Sequence, residues 1–271
     1  MGDIGAAVER LADIMKRLRA PGGCPWDREQ DLRSLRPYLI EEAYEVLEEM
    51  DRVSDGGPWT PLGEELGDLL FQIVFHAQLA SEQRQFDLAT VATAIADKLE
   101  RRHPHVFGEA AAAGTAQVLQ NWAKLKADER EKKHGHVGSV LDGVPKDAPG
   151  LQRAERLTEK ASRIGFDWPD VSGVKEKLQE ELAELEEAMA ARDKAAMEHE
   201  LGDVLFSLAN LARHLNIAPE DAMRAANARF TSRFQVVERG LEAQGVKFGE
   251  ASLDQMNALW DQAKGLEKAS K

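Results

Sequence analysis

The chain has 271 residues, enough for one large or two ordinary domains, and 43% hydrophobic against 31% charged residues describes a globular protein rather than a disordered one. A formal net charge of −13 argues against nucleic-acid polymers as partners, but leaves room for a small anion neutralised locally by a metal and a few cations. No apolar run is long enough to cross a bilayer, no leader is visible, and one cysteine (Cys24) suits a reducing compartment, so a cytoplasmic protein without a membrane partner is expected.

Leu, Ala, Glu, Arg and Lys dominate, and Val–Ile alternation is nearly absent, which predicts an all-α fold. Apolar residues at Ile4, Val8, Leu11, Met15 and Leu18 have helical spacing, and the turn chemistry of 21–27 stops that helix. Trp26 in that turn reads as a lid over the core. A helix over about 35–53 holds Glu41, Glu42 and Glu45, and 54–58 is a loop. Thr60-Pro61 resembles a helix start with proline at the first helical position. That helix carries Glu64, Glu65 and Asp68, then runs apolar to Phe75; His76 on it reads as a hydrogen-bonded helix residue. An amphipathic helix over 88–102 is closed by His103-Pro104. A small-residue loop at 109–116 and a helix over 118–133 follow.

Glycines and prolines gather at 135–150, giving an expected division into 1–134, a linker over 135–150, and 151–271. Past the linker the pattern restarts. A helix over 151–164 and an aromatic turn at 165–169 precede two helices within 177–203, which carry Glu180, Glu181, Glu184, Glu200 and Asp203. Long helices over 218–240 and 253–266 complete the chain.

The second half repeats the first. Glu41-Glu42-x-x-Glu45 matches Glu180-Glu181-x-x-Glu184, and Glu65-x-x-Asp68 matches Glu200-x-x-Asp203. Beyond the carboxylates, Lys98 and Arg102 match Arg229 and Arg233, and Trp122 and Lys126 match Trp260 and Lys264. On a helix, i, i+1 and i+4 fall toward one side and so do i and i+3. Five carboxylates aimed at one space repel unless a cation sits among them, and hard oxygen ligands suit Mg²⁺, with Mn²⁺ as a substitute. Arginines and lysines beside a metal grip a polyphosphate, and an indole can stack on a base.

These motifs, with GGCPWDREQ, ELGDLLFQIVFHAQLA, DKLERRHPHVFG and LGDVLFSLANLARHL, resemble the MazG-type nucleoside triphosphate pyrophosphohydrolases in their duplicated form. The resemblance implies two tandem four-helix-bundle units, a homodimer, and Mg²⁺-dependent hydrolysis of NTPs and dNTPs to monophosphate and pyrophosphate with broad base tolerance. It implies a role in clearing nucleotides or in stress. It also implies that Glu180, Glu181, Glu184, Glu200 and Asp203 hold the metal and position the water. Lys177, Arg229, Arg233 and Lys264 would then hold phosphate oxygens and Trp260 the base or ribose. The C-terminal half is expected to be catalytic, with Glu41, Glu42, Glu45, Glu65 and Asp68 as a second metal set. Two other classes are conceivable: a di-iron bundle using Glu100-x-x-His103 and Glu131-x-x-His134, and a helical scaffold whose acidic faces bind nothing.

Overall fold

The computed structural model describes residues 2–108, 114, 118 and 138–269, and among these every regular element is helical. The chain divides into two compact units, Met1–Glu129 and Arg130–Lys271. The expectations for 109–116 and 118–133, with Trp122, Lys126 and the Glu131–His134 pair, fall outside the described residues apart from Gly114 and Val118.

The first unit holds α1 (Ile4–Arg19), α2 (Pro25–Glu29), α3 (Arg36–Ser54), α4 (Trp59–Glu82), α5 (Leu88–Arg102) and α6 (Pro104–Phe107). Asp3 caps α1 by accepting from the Ala6 amide at 3.2 Å, and Asp87 caps α5 by accepting from Thr90 at 2.8 Å. Two starts differ from the sequence reading. The turn before α3 winds into the five-residue helix α2, and α4 opens at Trp59, two residues before Pro61. First-turn amides have no intrahelical acceptor, so Pro61 costs nothing there and does not have to mark the first position. Met15, Leu35, Val74, Phe75 and Leu79 form the core, which Leu11, Leu18, Phe71 and Leu88 flank. Arg19 locks α2 against it. Its guanidinium donates to both Glu82 carboxylate oxygens (2.8 and 2.7 Å) and to the carbonyls of Asp27 and Gln30, and lies over the Phe75 ring. Trp26 stays about half exposed, edge-on to Tyr38, so it covers the turn rather than the core.

The second unit holds α7 (Gly150–Ser162), α8 (Val171–Ala191), α9 (Lys194–His214), α10 (Pro219–Ala243) and α11 (Leu253–Ala269). α8 begins six residues before Lys177, because the Asp170 side chain caps it by accepting from the Ser172 amide at 2.7 Å. It stops at Arg192, which adopts φ 56° in the left-handed region, and Asp193 then caps α9 by accepting from the amides of Ala195 and Ala196. This two-residue reversal folds α9 back along α8, its most extensive packing partner. α9 also packs on α7, while α10 pairs with α11 around Val237, Leu241 and Leu259. Gly240 permits that pairing: a Cβ there would stand 2.5 Å from the Leu259 Cδ2 atom. The far end of α9 is tied to the turn before α8, where the Arg213 guanidinium donates to both Asp167 oxygens (2.9 and 2.5 Å) and His214 Nε2 lies 3.0 Å from Asp167 Oδ1.

Candidate metal centres in two matched helical hairpins

In the first unit, one ligating atom each from Glu42, Glu45 and Glu65 lies within 4.8 Å of the others. In the second, Glu181, Glu184 and Glu200 do the same. Under the repeat register these are the same three positions, contributed by α3 and α4 in one unit and by α8 and α9 in the other. The repeat in sequence is therefore a repeat in side-chain geometry.

The other expected carboxylates take different places. Glu41 is exposed and outside the gathered trio, and Glu180 is exposed with its carboxylate turned to Lys177. Adjacent helical positions are about 100° apart, so only one of a Glu-Glu pair can face the partner helix squarely. Glu181, only 5% exposed, is that residue. Asp68 lies beside its trio, since its charge acts on both Glu42 and Glu65. Asp203 gathers instead with Glu200 and His199. His199 was not singled out from sequence, although its spacing of four from Asp203 was visible there.

Crowding of like charge shows in the acidities. Glu42 is held above the usual carboxylate range first by desolvation and then by Asp68, Glu45 and Glu65, with a hydrogen bond from Gln72 opposing. Glu65 is raised by desolvation and then by Glu45, Asp68 and Glu49, and Glu184 by desolvation and then by Glu181 and Glu200. Gln72 is 4% exposed, touches Glu42, and keeps its Oε1 without a hydrogen-bond partner. At the matching position of the second unit stands buried Ser207. Three converging carboxylates, raised pKa values and a buried amide oxygen without a partner form a donor set suited to a hard divalent cation.

The cations and the indole have partners of their own. Lys177 Nζ lies 2.8 Å from both Glu180 Oε1 and Glu181 Oε1, and those two hydrogen bonds raise its pKa further above the ordinary lysine value. Arg233 donates to both oxygens of Glu267 (2.9 and 2.7 Å) and lies over the Trp260 ring. Trp260 packs on Phe230 at 5.2 Å between centroids and flanks the Val237–Leu241–Leu259 cluster. Lys264 pairs with Asp261 at 2.7 Å, and Arg229 is exposed on α10. Thus α8 and α9 bring the acidic residues and Lys177 together, while α10 and α11 gather Arg233, Trp260 and Glu267. Of the di-iron candidates, His103 places Nδ1 2.6 Å from the Leu99 carbonyl, and the metal-capable groups among the described residues do not include it. His76 Nε2, buried on α4, has no hydrogen-bond partner, contrary to the expectation that it is satisfied.

Paired helices that join an EExxE segment to an ExxD segment, twice in one chain, define an all-helical protein built on duplicated acidic centres. The MazG nucleotide pyrophosphohydrolase domain family matches residues 30–107 and 171–237, more than half of the chain, with one trio in each stretch. The chain belongs to the MazG family. It is 44% identical over 260 residues to the nucleoside triphosphate pyrophosphohydrolase of Escherichia coli (strain K12), covering 95% of this chain and 97% of that protein. It is 43% identical to the nucleoside triphosphate pyrophosphohydrolase/pyrophosphatase MazG of Thermotoga maritima over 98% of both chains. It is also 40% identical to the uncharacterized protein YabN of Bacillus subtilis, over 95% of this chain and 51% of that one. Among the described residues, no helix is long and apolar enough to cross a membrane.

Proposed function

We infer that the chain hydrolyses nucleoside triphosphates, ribo and deoxy, to nucleoside monophosphate and pyrophosphate, and so clears unwanted nucleotides. One observation carries this reading: the Glu181–Glu184–Glu200 trio lies within a stretch matched by a pyrophosphohydrolase family, in a chain similar along nearly its whole length to relatives bearing that name.

Glu181, Glu184 and Glu200, with Glu180 and Asp203 at the rim, would hold Mg²⁺, for which Mn²⁺ could substitute. When bound, the ion polarises a phosphoryl oxygen and lowers the pKa of a coordinated water. One carboxylate of the set would orient the attacking water and take its proton. Lys177, already beside Glu180 and Glu181, turns to a phosphate oxygen once their charge is neutralised. Arg229, Arg233 and Lys264 offset charge on the departing pyrophosphate, which for Arg233 and Lys264 means exchanging Glu267 and Asp261 for the ligand. Trp260 packs against the base or ribose. Stacking reads no base edge, which suits broad tolerance.

The division of labour follows the repeat. Residues 151–271 form the catalytic unit and 1–134 the weaker or structural one, joined through 135–150. Glu41, Glu42, Glu45, Glu65 and Asp68 make a second metal set there. A homodimer is the working form. Supporting it, Met50, Leu66, Leu70 and Ile73 are all exposed, and so are Met189, Leu201, Leu205 and Leu208 at the matching positions. Eight large apolar side chains on two equivalent faces fit burial against a second copy. The substrates suit a cytoplasmic location, and no nucleic-acid polymer is needed as partner.

The test is product identity. Purified protein with Mg²⁺ and a panel of NTPs and dNTPs should yield monophosphate and pyrophosphate, and Glu181→Gln should remove most turnover while Glu42→Gln spares it. Diphosphate with phosphate as products would overturn the reaction; the reverse mutant pattern would exchange the roles of the units.

A further inference from the structure

A polar stripe leads away from the acidic centre of the second unit along α9. Asp203, Ser207 and Asn210 stand at i, i+4 and i+7, so all three fall on one side of that helix. Ser207 and Asn210 are buried, Asn210 to 3% exposure. In the first unit the same register reads Asp68, Gln72 and Phe75, and Phe75 is a fully buried member of the core. The fold therefore accepts an apolar side chain here, and packing alone does not call for the amide of Asn210. Burying an amide costs free energy unless its polar atoms find partners.

Each unit sets an arginine against this position. Arg19, tied to Glu82, lies over the Phe75 ring, whereas Arg213, tied to both oxygens of Asp167, donates through Nε to Asn210 Oδ1 at 2.9 Å. A guanidinium can only donate, so this contact fixes which end of the amide faces it. Nδ2 is turned away from Arg213 with two N–H donors, and no acceptor for them is present among the described residues. Nor is Nδ2 sealed in: the fully enclosed polar atoms without a partner belong to Gln72, His76 and Arg153. A fixed, neutral donor thus stands two helical turns, roughly 10 Å along α9, from Asp203.

We propose that Asn210 recognises the nucleoside in the second unit, its Nδ2 donating to the acceptor that every standard base carries on its sugar edge, N3 of a purine or O2 of a pyrimidine. This rests on the reading of the chain as a nucleotide hydrolase and deepens it. With the phosphates held at the acidic trio, the nucleoside extends along α9 toward Asn210. Acceptors on the sugar edge are nearly the same for all bases, which is why the minor groove of a duplex carries a degenerate code. A lone donor held by Arg213 therefore separates a nucleotide from bare polyphosphate without choosing among bases. Phe75 gives the first unit no such donor, so the units differ in nucleoside binding even where their carboxylates match.

The experiment compares pyrophosphate release by the full-length protein from ATP and from 3-deaza-ATP, whose base lacks the N3 acceptor. Wild type should lose about three- to tenfold in kcat/KM on the analogue, the range one neutral hydrogen bond supplies. Asn210→Leu, similar in size but without a donor, should lose as much on ATP and nothing further on the analogue. Inorganic tripolyphosphate, which has no nucleoside, should inhibit wild type and Asn210→Leu equally. A merely structural role for Asn210 would weaken tripolyphosphate and both nucleotides alike, and that result would overturn the inference. Equal kcat/KM for ATP and 3-deaza-ATP in wild type would overturn it without any variant. Calorimetric binding of AMP and 3-deaza-AMP in Mg²⁺ reads the same contact without turnover and keeps the two readings apart. Equal affinities there sink the role of Asn210 alone, while a preference for AMP without pyrophosphate release from any nucleotide sinks only the proposed reaction.

Discussion

Glu42→Gln should stabilise the protein in the absence of divalent ions and weaken its response to them. The substitution removes a charge but keeps an acceptor oxygen for Gln72, so the packing around the buried amide is preserved. Ligating atoms of Glu42, Glu45 and Glu65 lie within 4.8 Å of one another. At that distance each charged pair repels by roughly 3 kcal/mol at an effective dielectric of about 20. Side-chain motion and solvent at this part-exposed rim reduce the recoverable gain to about 1 kcal/mol, worth about 4 °C in a unit of this size. The pH dependence follows from the raised pKa of Glu42. A carboxyl whose pKa is higher folded than unfolded destabilises the fold above its folded pKa, and the penalty fades as pH falls toward the ordinary value of about 4.3. Scanning calorimetry in chelator should show the variant ahead at pH 7 and level with wild type near pH 4. Mg²⁺ should then raise the wild-type Tm by more than that of the variant, by linkage of binding to folding. A variant less stable than wild type in chelator at pH 7 would refute the crowded-carboxylate account of the first unit.

Arg213→Met should cost about 1 kcal/mol in urea unfolding, because the solvent-accessible Asp167 carboxylate would lose its two-pronged guanidinium partner and keep only His214. Arg213 first, and then His214, hold the Asp167 carboxyl below the usual range, against desolvation. That contribution is present above about pH 4 and lost as pH falls through the folded value, so the deficit of the variant should shrink in acid. Gly240→Ala should lower stability by about 1 kcal/mol despite alanine's better helix propensity, since its methyl would collide with buried Leu259. A Gly240→Ala protein more stable than wild type would place Leu259 elsewhere. Leu201→Glu combined with Leu205→Glu should convert a dimer to a monomer in sedimentation equilibrium, and a dimer unchanged in affinity would move the interface off this face.

Local chemistry made much of the molecule legible in advance. Helical periodicity, Gly and Pro punctuation and the doubled EExxE–ExxD pattern gave the all-α class and the internal repeat, because a helix fixes side-chain direction every 3.6 residues whatever surrounds it. The resemblance of GGCPWDREQ and ELGDLLFQIVFHAQLA to one family pointed to the same family that the domain match defines. Helix ends were less legible. α8 starts at Val171 because Asp170 caps it, and Pro25–Glu29 closes into a helix that Arg19, from a neighbouring element, holds in place.

Tertiary packing decided which charges meet. Periodicity put Glu180 and Glu181 on adjacent positions, but only the depth at which α8 lies on α9 buries Glu181 and leaves Glu180 exposed, with Lys177 paired to both. The same holds for Arg233 and Trp260, whose roles in sequence were phosphate and base. Their neighbours in the fold are Glu267 and Phe230, residues remote in the chain that packing of α10 on α11 brings to them. His199 shows the converse: its spacing from Asp203 was present in the sequence all along, but an exposed histidine beside two acids is chemically unremarkable until backbone and rotamers bring three ligand atoms within 4.8 Å. Sequence sets the direction of each side chain from its own helix axis; the distance between side chains on different helices depends on how those helices dock, and metal chemistry depends on that distance.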